Sequence, residues 1–102
     1  MTEKMTELDK LEHWLKCNKI EYKRVDKDGI IERHQLIVYK DGERIWDAIC
    51  QRGSYGYESG LLEVMGDSVV LPEDGDDVCG YLTAQDVINR LGSRNEKVHI
   101  RM

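Results

Sequence analysis

The sequence predicts an α+β fold: a single domain over residues 1–102, with an antiparallel sheet centred on a β-hairpin at about residues 30–50, an N-terminal helix and two short helices in the C-terminal half. Three observations carry this reading. Leu8, Leu11, Trp14 and Leu15 recur at the three- and four-residue spacing that lines one face of a helix. Two runs rich in Ile, Val, Tyr and Trp, residues 30–40 and 43–50, are separated only by Asp41-Gly42, a pair that tolerates the positive φ of a two-residue type I′ turn. Beyond residue 58, Ser59, Thr83, Gly66 and Gly92 supply start and stop signals for helices.

The first helix spans residues 6–18, capped by Thr6 or Thr2. Ile20, Tyr22 and Val25 then precede Asp28-Gly29 and read as a short strand over residues 20–25. In the hairpin, a regular ladder sets Tyr39 opposite Arg44, Val38 opposite Ile45, Ile37 opposite Trp46, Leu36 opposite Asp47 and His34 opposite Ile49. One face then carries His34, Leu36, Val38, Ile45, Asp47 and Ile49. The other carries Ile37, Tyr39, Trp46, Ala48 and Cys50, beside Arg44 and Gln35. Both faces are apolar, so the helix covers one, and the C-terminal half or a partner covers the other. Residues 51–60, with three glycines, form a loop. Residues 61–65 read as a short helix stopped by Gly66, residues 69–71 as a short strand ending at Pro72, and residues 73–77 as a turn. Thr83 and Asp86 resemble a capping box for a helix over residues 84–91 that ends at Gly92. Val98-His99-Ile100 alternates and reads as an edge strand.

At 102 residues the chain supports one core but no deep cavity between domains. No apolar run reaches the roughly 18 residues of a membrane span, and the first ten residues are too polar for a secretion signal, so a cytoplasmic protein without membrane contact is expected. Cys17, Cys50 and Cys79 lie far apart, an odd number without a CxxC pair, and are expected as reduced thiols. The net charge of -5 hides an asymmetry. Residues 1–52 hold 11 basic and 11 acidic groups, residues 53–89 hold eight carboxylates and no Lys or Arg, and the last 13 residues hold four basic groups against one acidic. No basic stripe with aromatics is present, which argues against direct nucleic-acid binding. A field of one sign instead steers a domain towards a basic partner surface, while the simpler reading is that it maintains solubility.

The candidate chemical motifs are weak. On the regular ladder His34 and Asp47 share a face and approach diagonally, as a general-base pair would, but no nucleophile pattern accompanies them and a structural pair is the better reading. His13 and Cys17 have the four-residue helical spacing of a metal pair. Both point away from Leu8, Leu11 and Leu15, and the other soft candidates, Cys50, Cys79, His34 and His99, lie at no close spacing. Gly53, Gly56 and Gly60 match neither a Walker nor a dinucleotide-binding pattern. Asp74, Asp76 and Asp77 lack the spacing and closing Glu of a calcium loop. The expectation is therefore a protein that is not an enzyme and carries no cofactor or metal. Tyr55 and Tyr57 in a Gly- and Ser-rich loop are favoured contact residues.

The string Arg44-Ile-Trp-Asp-Ala-Ile-Cys-Gln-Arg-Gly-Ser-Tyr-Gly-Tyr-Glu-Ser-Gly-Leu-Leu-Glu-Val-Met-Gly66, followed by Pro72-Glu-Asp-Gly-Asp and Gly80-Tyr-Leu-Thr-Ala-Gln-Asp-Val-Ile88, resembles small proteins of bacteriophages and mobile elements. The resemblance covers a little under half the chain and brings no catalytic residues. It implies an inhibitor of host defence, of the anti-CRISPR kind, at work in the bacterial cytoplasm. Together with the charge pattern, it leads to the expectation of a protein partner, a CRISPR nuclease of the Cas9 type among the candidates. Glu58, Glu73, Asp74, Asp76 and Asp77 would enter its basic nucleic-acid channel, with Trp46, Tyr55 and Tyr57 as apolar anchors. The alternatives are a small phage accessory or structural protein that forms a homodimer through the hairpin face, and a zinc-stapled binding module using His13 and Cys17.

Overall fold

The computed structural model describes the backbone of residues 5–100 and the side chains of residues 5–92. Thr2, one of the two candidate caps, and the His99 side chain lie outside the described residues. The elements run α1 (Glu7–Cys17), β1 (Tyr22–Lys27), β2 (Arg33–Lys40), β3 (Glu43–Ile49), β4 (Leu62–Met65), β5 (Val78–Leu82) and α2 (Ala84–Ile100). The five strands form one antiparallel sheet in sequence order, β1-β2-β3-β4-β5. The α+β class with its N-terminal helix is as the sequence predicts.

Thr6 caps α1. Its hydroxyl accepts from the Asp9 N–H and the Asp9 carboxylate accepts from the Thr6 N–H, both at 3.0 Å, so two otherwise orphaned donors are satisfied reciprocally. The predicted box at α2 forms as well, Thr83 N–H donating to Asp86 at 2.9 Å and Asp86 N–H to the Thr83 hydroxyl at 3.0 Å. Glu7 ties the two starts together by accepting from the Ala84 N–H at 2.7 Å. The hairpin turns at Asp41 (φ 54°) and Gly42 (φ 82°), the left-handed pair of a type I′ turn.

The regular ladder fails one residue beyond that turn. Tyr39 pairs with Arg44 as expected, but a bulge follows, and Val38 then pairs with Trp46, Ile37 with Asp47, Leu36 with Ala48 and Gln35 with Ile49. Ile45 is the extra residue, and every β3 residue beyond it changes face relative to β2. Trp46 and Ala48 therefore join Leu36 and Val38 in the core, with Leu8, Leu11 and Leu15 of α1, Leu62, Val64, Val69 and Leu82, and Ala84 and Val87 of α2. Described residues of both helices pack on this same face. On the opposite face Gln35 and Asp47 are buried within a polar chain: Arg33 donates to Gln35, the Gln35 amide to Asp47 at 2.7 Å, and Arg44 pairs with Asp47 at 3.0 Å.

Four local expectations are corrected. Ile30 and Ile31 lie outside the strand in the β1–β2 connection, fully exposed and largely exposed respectively. Residues 61–65 contain strand β4 rather than a helix, because Leu62 and Val64 alternate into the core while Glu63 and Met65 face outward. Residues 69–71 belong to a turn rather than a strand, and α2 runs through Gly92 to Ile100, so residues 98–100 are helical.

Candidate partner-binding site

The β4–β5 connection is built to hold a tight shape. It begins at Gly66 (φ 124°), where a Cβ would come within 2.6 Å of the Ile45 carbonyl oxygen and Trp46 Cβ, so only glycine lets the chain leave the sheet against β3. A 3-10 turn at Pro72–Asp74 follows. Arg90 of α2 reaches across to fasten it, donating to the Val69 carbonyl at 2.8 Å and to both Asp74 oxygens at 2.7 and 3.2 Å. Asp74 also accepts from the Leu71 N–H at 2.7 Å. Hydrogen bonding to Arg90, then to that N–H, holds the Asp74 carboxyl below its ordinary range. Asp74 is thus engaged inside the fold, and of the predicted binding carboxylates it is the one the structure withdraws from the surface.

What remains is an open cleft of about 710 Å³ floored by Met65, Val70, Leu71 and Pro72 and rimmed by the exposed carboxylates of Asp67, Asp76 and Asp77. Asp76 also accepts from the Asp77 N–H at 2.7 Å. Glu73 is exposed on the 3-10 turn beside it. None of Asp67, Glu73, Asp76 and Asp77 forms an ion pair among the described residues. Sequence reasoning counted Asp67 in the acidic segment but did not place it in the site.

The other predicted contact residues lie elsewhere. Trp46 is only 3% exposed and sits in the core, because the bulge turns it inward; it is not available as an anchor. Glu58 is exposed but borders a different cleft, with Arg24, Glu32, His34, Cys50 and half-buried Tyr57. Tyr55 is 57% exposed and stacks on Tyr81, 65% exposed, with ring centroids 6.5 Å apart and planes at 24°. The Tyr55 loop lies tight against β5: Tyr81 N–H donates to the Tyr55 carbonyl at 3.3 Å, and a Cβ on Gly80 would meet Tyr55 Cβ at 2.3 Å. Tyr81 holds φ at 61°, a left-handed conformation that costs a bulky residue about 1 kcal/mol. Sequence reasoning did not single out Tyr81, since its partner is 26 residues away and Gly80-Tyr81 gives no local signal.

The predicted His34–Asp47 pair does not form, because the bulge sends Asp47 to the opposite face. His34 instead meets Asp26 at 2.8 Å through Nδ1, and Asp28 at 3.2 Å and Glu32 at 3.6 Å through Nε2. The hydrogen bond to Asp26 raises the imidazole above its ordinary pKa, against a smaller opposing effect of burial. Both ring nitrogens thus face carboxylates, a setting for an imidazolium rather than a free base. Burial raises the Cys50 and Cys79 thiols, which keeps them protonated and poor as nucleophiles or ligands. His13 and Cys17 are both exposed on α1, with Nε2 and Sγ 3.5 Å apart. No group of three or more His, Cys, Asp or Glu placed to hold a metal occurs among the described residues, and no helix is long and apolar enough to cross a membrane among them. No family model, curated protein or solved structure matches this chain at a significant level.

Proposed function

We propose that the protein is a non-enzymatic binder of a basic protein surface, and that it acts through the cleft between Gly66 and Asp77. The observation that carries this reading is the arrangement of Asp67, Asp76 and Asp77 around an apolar floor, with no ion pair to any of them among the described residues. Such a cleft suits Lys or Arg side chains, whose aliphatic stems lie along Val70, Leu71 and Pro72 while their charged heads meet the rim. In line with the resemblance to phage and mobile-element proteins, the partner proposed is a bacterial defence nuclease, a CRISPR nuclease first, blocked at the channel that holds nucleic-acid phosphates. Tyr55 and Tyr81 then serve as a separate aromatic contact.

The test is direct binding to a purified CRISPR nuclease, with and without its guide RNA, at about 0.15 M and about 0.5 M salt. Tight binding that weakens with salt, and a roughly tenfold or greater slowing of association in the combined Asp67→Asn, Asp76→Asn, Asp77→Asn variant, is the expected result. Binding unchanged in that variant rejects the cleft as the site. A second reading, self-association, is favoured by the sheet face opposite the helices, where Met65 and Tyr81 stand about half and two thirds exposed. A dimer that dissociates on dilution and is abolished by Met65→Glu supports it.

A further inference from the structure

His13 and Cys17 face the same side of α1, one turn apart, and both are exposed. Their ligating atoms, Nε2 and Sγ, are 3.5 Å apart. Zinc bonds of about 2.3 Å to sulfur and about 2.0–2.1 Å to nitrogen, at a tetrahedral angle, require these atoms to be about 3.6 Å apart. The pair therefore already has the bite of a tetrahedral zinc site, without a change of backbone. It lies on the wall of a groove of about 550 Å³ between α1 and α2 that also includes Trp14, Ala84 and Ile88. Lys10, one turn before His13, is paired with Glu7 at 3.0 Å, which offsets its charge near the site. Two ligands do not close a zinc shell, and no third His, Cys, Asp or Glu joins them among the described residues.

We infer that two copies of the chain complete the site: His13 and Cys17 from each protomer bind one zinc ion on a two-fold axis, in a Cys2His2 shell. A two-fold axis presents the same helix face twice, so one two-ligand face generates all four ligands. Each Cys17 thiol loses its proton to solvent on binding, giving two thiolates that balance the charge of the ion, and each imidazole binds as the neutral ring through Nε2. Trp14 and Ile88, beside the pair, supply apolar surface to the contact between protomers. This site is independent of the acidic cleft, and its outcome does not bear on the function proposed there.

The experiment titrates zinc into the metal-free full chain at pH 7.5 in a non-thiol reductant, with mass followed by sedimentation or light scattering and cobalt(II) as the optical probe. The expected result is one zinc per two chains, a rise in mass from the 11.9 kDa monomer to twice that value, reversal by chelator, and the intense visible absorption of a tetrahedral thiolate site with cobalt. His13→Ala and Cys17→Ser, both at exposed positions, are expected to abolish dimerisation and the cobalt band while retaining the far-ultraviolet circular dichroism of the parent. One zinc per monomer overturns the inference by placing the remaining ligands within one chain. Absence of binding, or binding unaffected by either substitution, overturns it as well.

Discussion

The two halves of this chain treat charge in opposite ways. In the N-terminal half many charged groups satisfy one another: Arg24 holds Asp9, Glu12 and Asp26 at 2.9 Å each, His34 lies among Asp26, Asp28 and Glu32, and Arg44 pairs with Asp47. Between residues 53 and 89 no cation is available locally, and among the described residues a single one from outside the segment, Arg90, reaches in and neutralises Asp74. A group with a partner contributes to the fold, while a group without one raises the local potential and is open to a ligand. The difference separates a half that pairs many of its charges internally from a half whose carboxylates, Asp74 apart, form no ion pair among the described residues.

The largest expected effect removes the core on which both halves rest. Trp46→Ala should cost about 3–5 kcal/mol, read as a loss of stability in urea rather than a loss of affinity in a folded protein. A folded variant that has lost only partner binding would return Trp46 to the surface. Next comes Arg90→Ala, which frees the acidic loop from α2. The Arg90–Asp74 pair is mostly buried and hydrogen-bonded, so a cost of about 2 kcal/mol is expected, between the values for exposed and buried pairs. A smaller loss of stability with Asp74→Asn, which keeps most of the hydrogen-bonding shape, sharpens the assignment of Asp74 to the fold.

The pH dependence distinguishes the two halves at lower amplitude. The folded pKa of His34 is raised above the ordinary 6.5 by Asp26, so its contribution is fully present below about pH 6.5 and lost as pH rises through the folded value. Burial pushes the Asp26 carboxyl up, but His34 and Arg24 together bring it below 3.8, and Arg90 lowers Asp74 likewise, so their contributions are present above pH 3.8 and lost as pH falls through their folded values. His34→Gln should therefore flatten the decline in stability above pH 6.5, an effect of under about 1 kcal/mol for a pair at the surface. An unchanged decline assigns it to another group. The smallest effect belongs to Asp76→Asn with Asp77→Asn, which should alter stability by no more than about 0.5 kcal/mol, since neither carboxylate has an ionic partner among the described residues. A loss of 2 kcal/mol would show that these carboxylates belong to the fold and not to the binding surface.

The features legible in the sequence were those decided within a few residues. Thr83 and Asp86 cap α2 because the reciprocal bonds span three positions, and Asp41-Gly42 turns because those two residues accept positive φ. The bulge at Ile45 was not legible, since Arg44, Ile45 and Trp46 fit either register until the helices select which side chains the core receives. The same blindness hid β4 and β5, whose short runs gain their conformation from pairing with each other and with β3. For the site, the acidic segment was visible in composition, but the division of labour within it was not. Asp74 is committed by an arginine 16 positions away, and the floor beneath Asp67, Asp76 and Asp77 exists only once the connection folds onto the sheet.

The order of the sheet leaves β1 and β5 as its edges, the places where a strand from another molecule can add and begin a polymer. The β5 edge is occupied by its own chain, through the bond from Tyr81 to the Tyr55 carbonyl. The β1 edge is guarded by composition: Lys23, Arg24, Asp26 and Lys27 place four charges among six residues, which an added strand would have to desolvate. One flank is engaged by backbone and the other by charge, so neither offers an open, uncharged strand for a second sheet to extend.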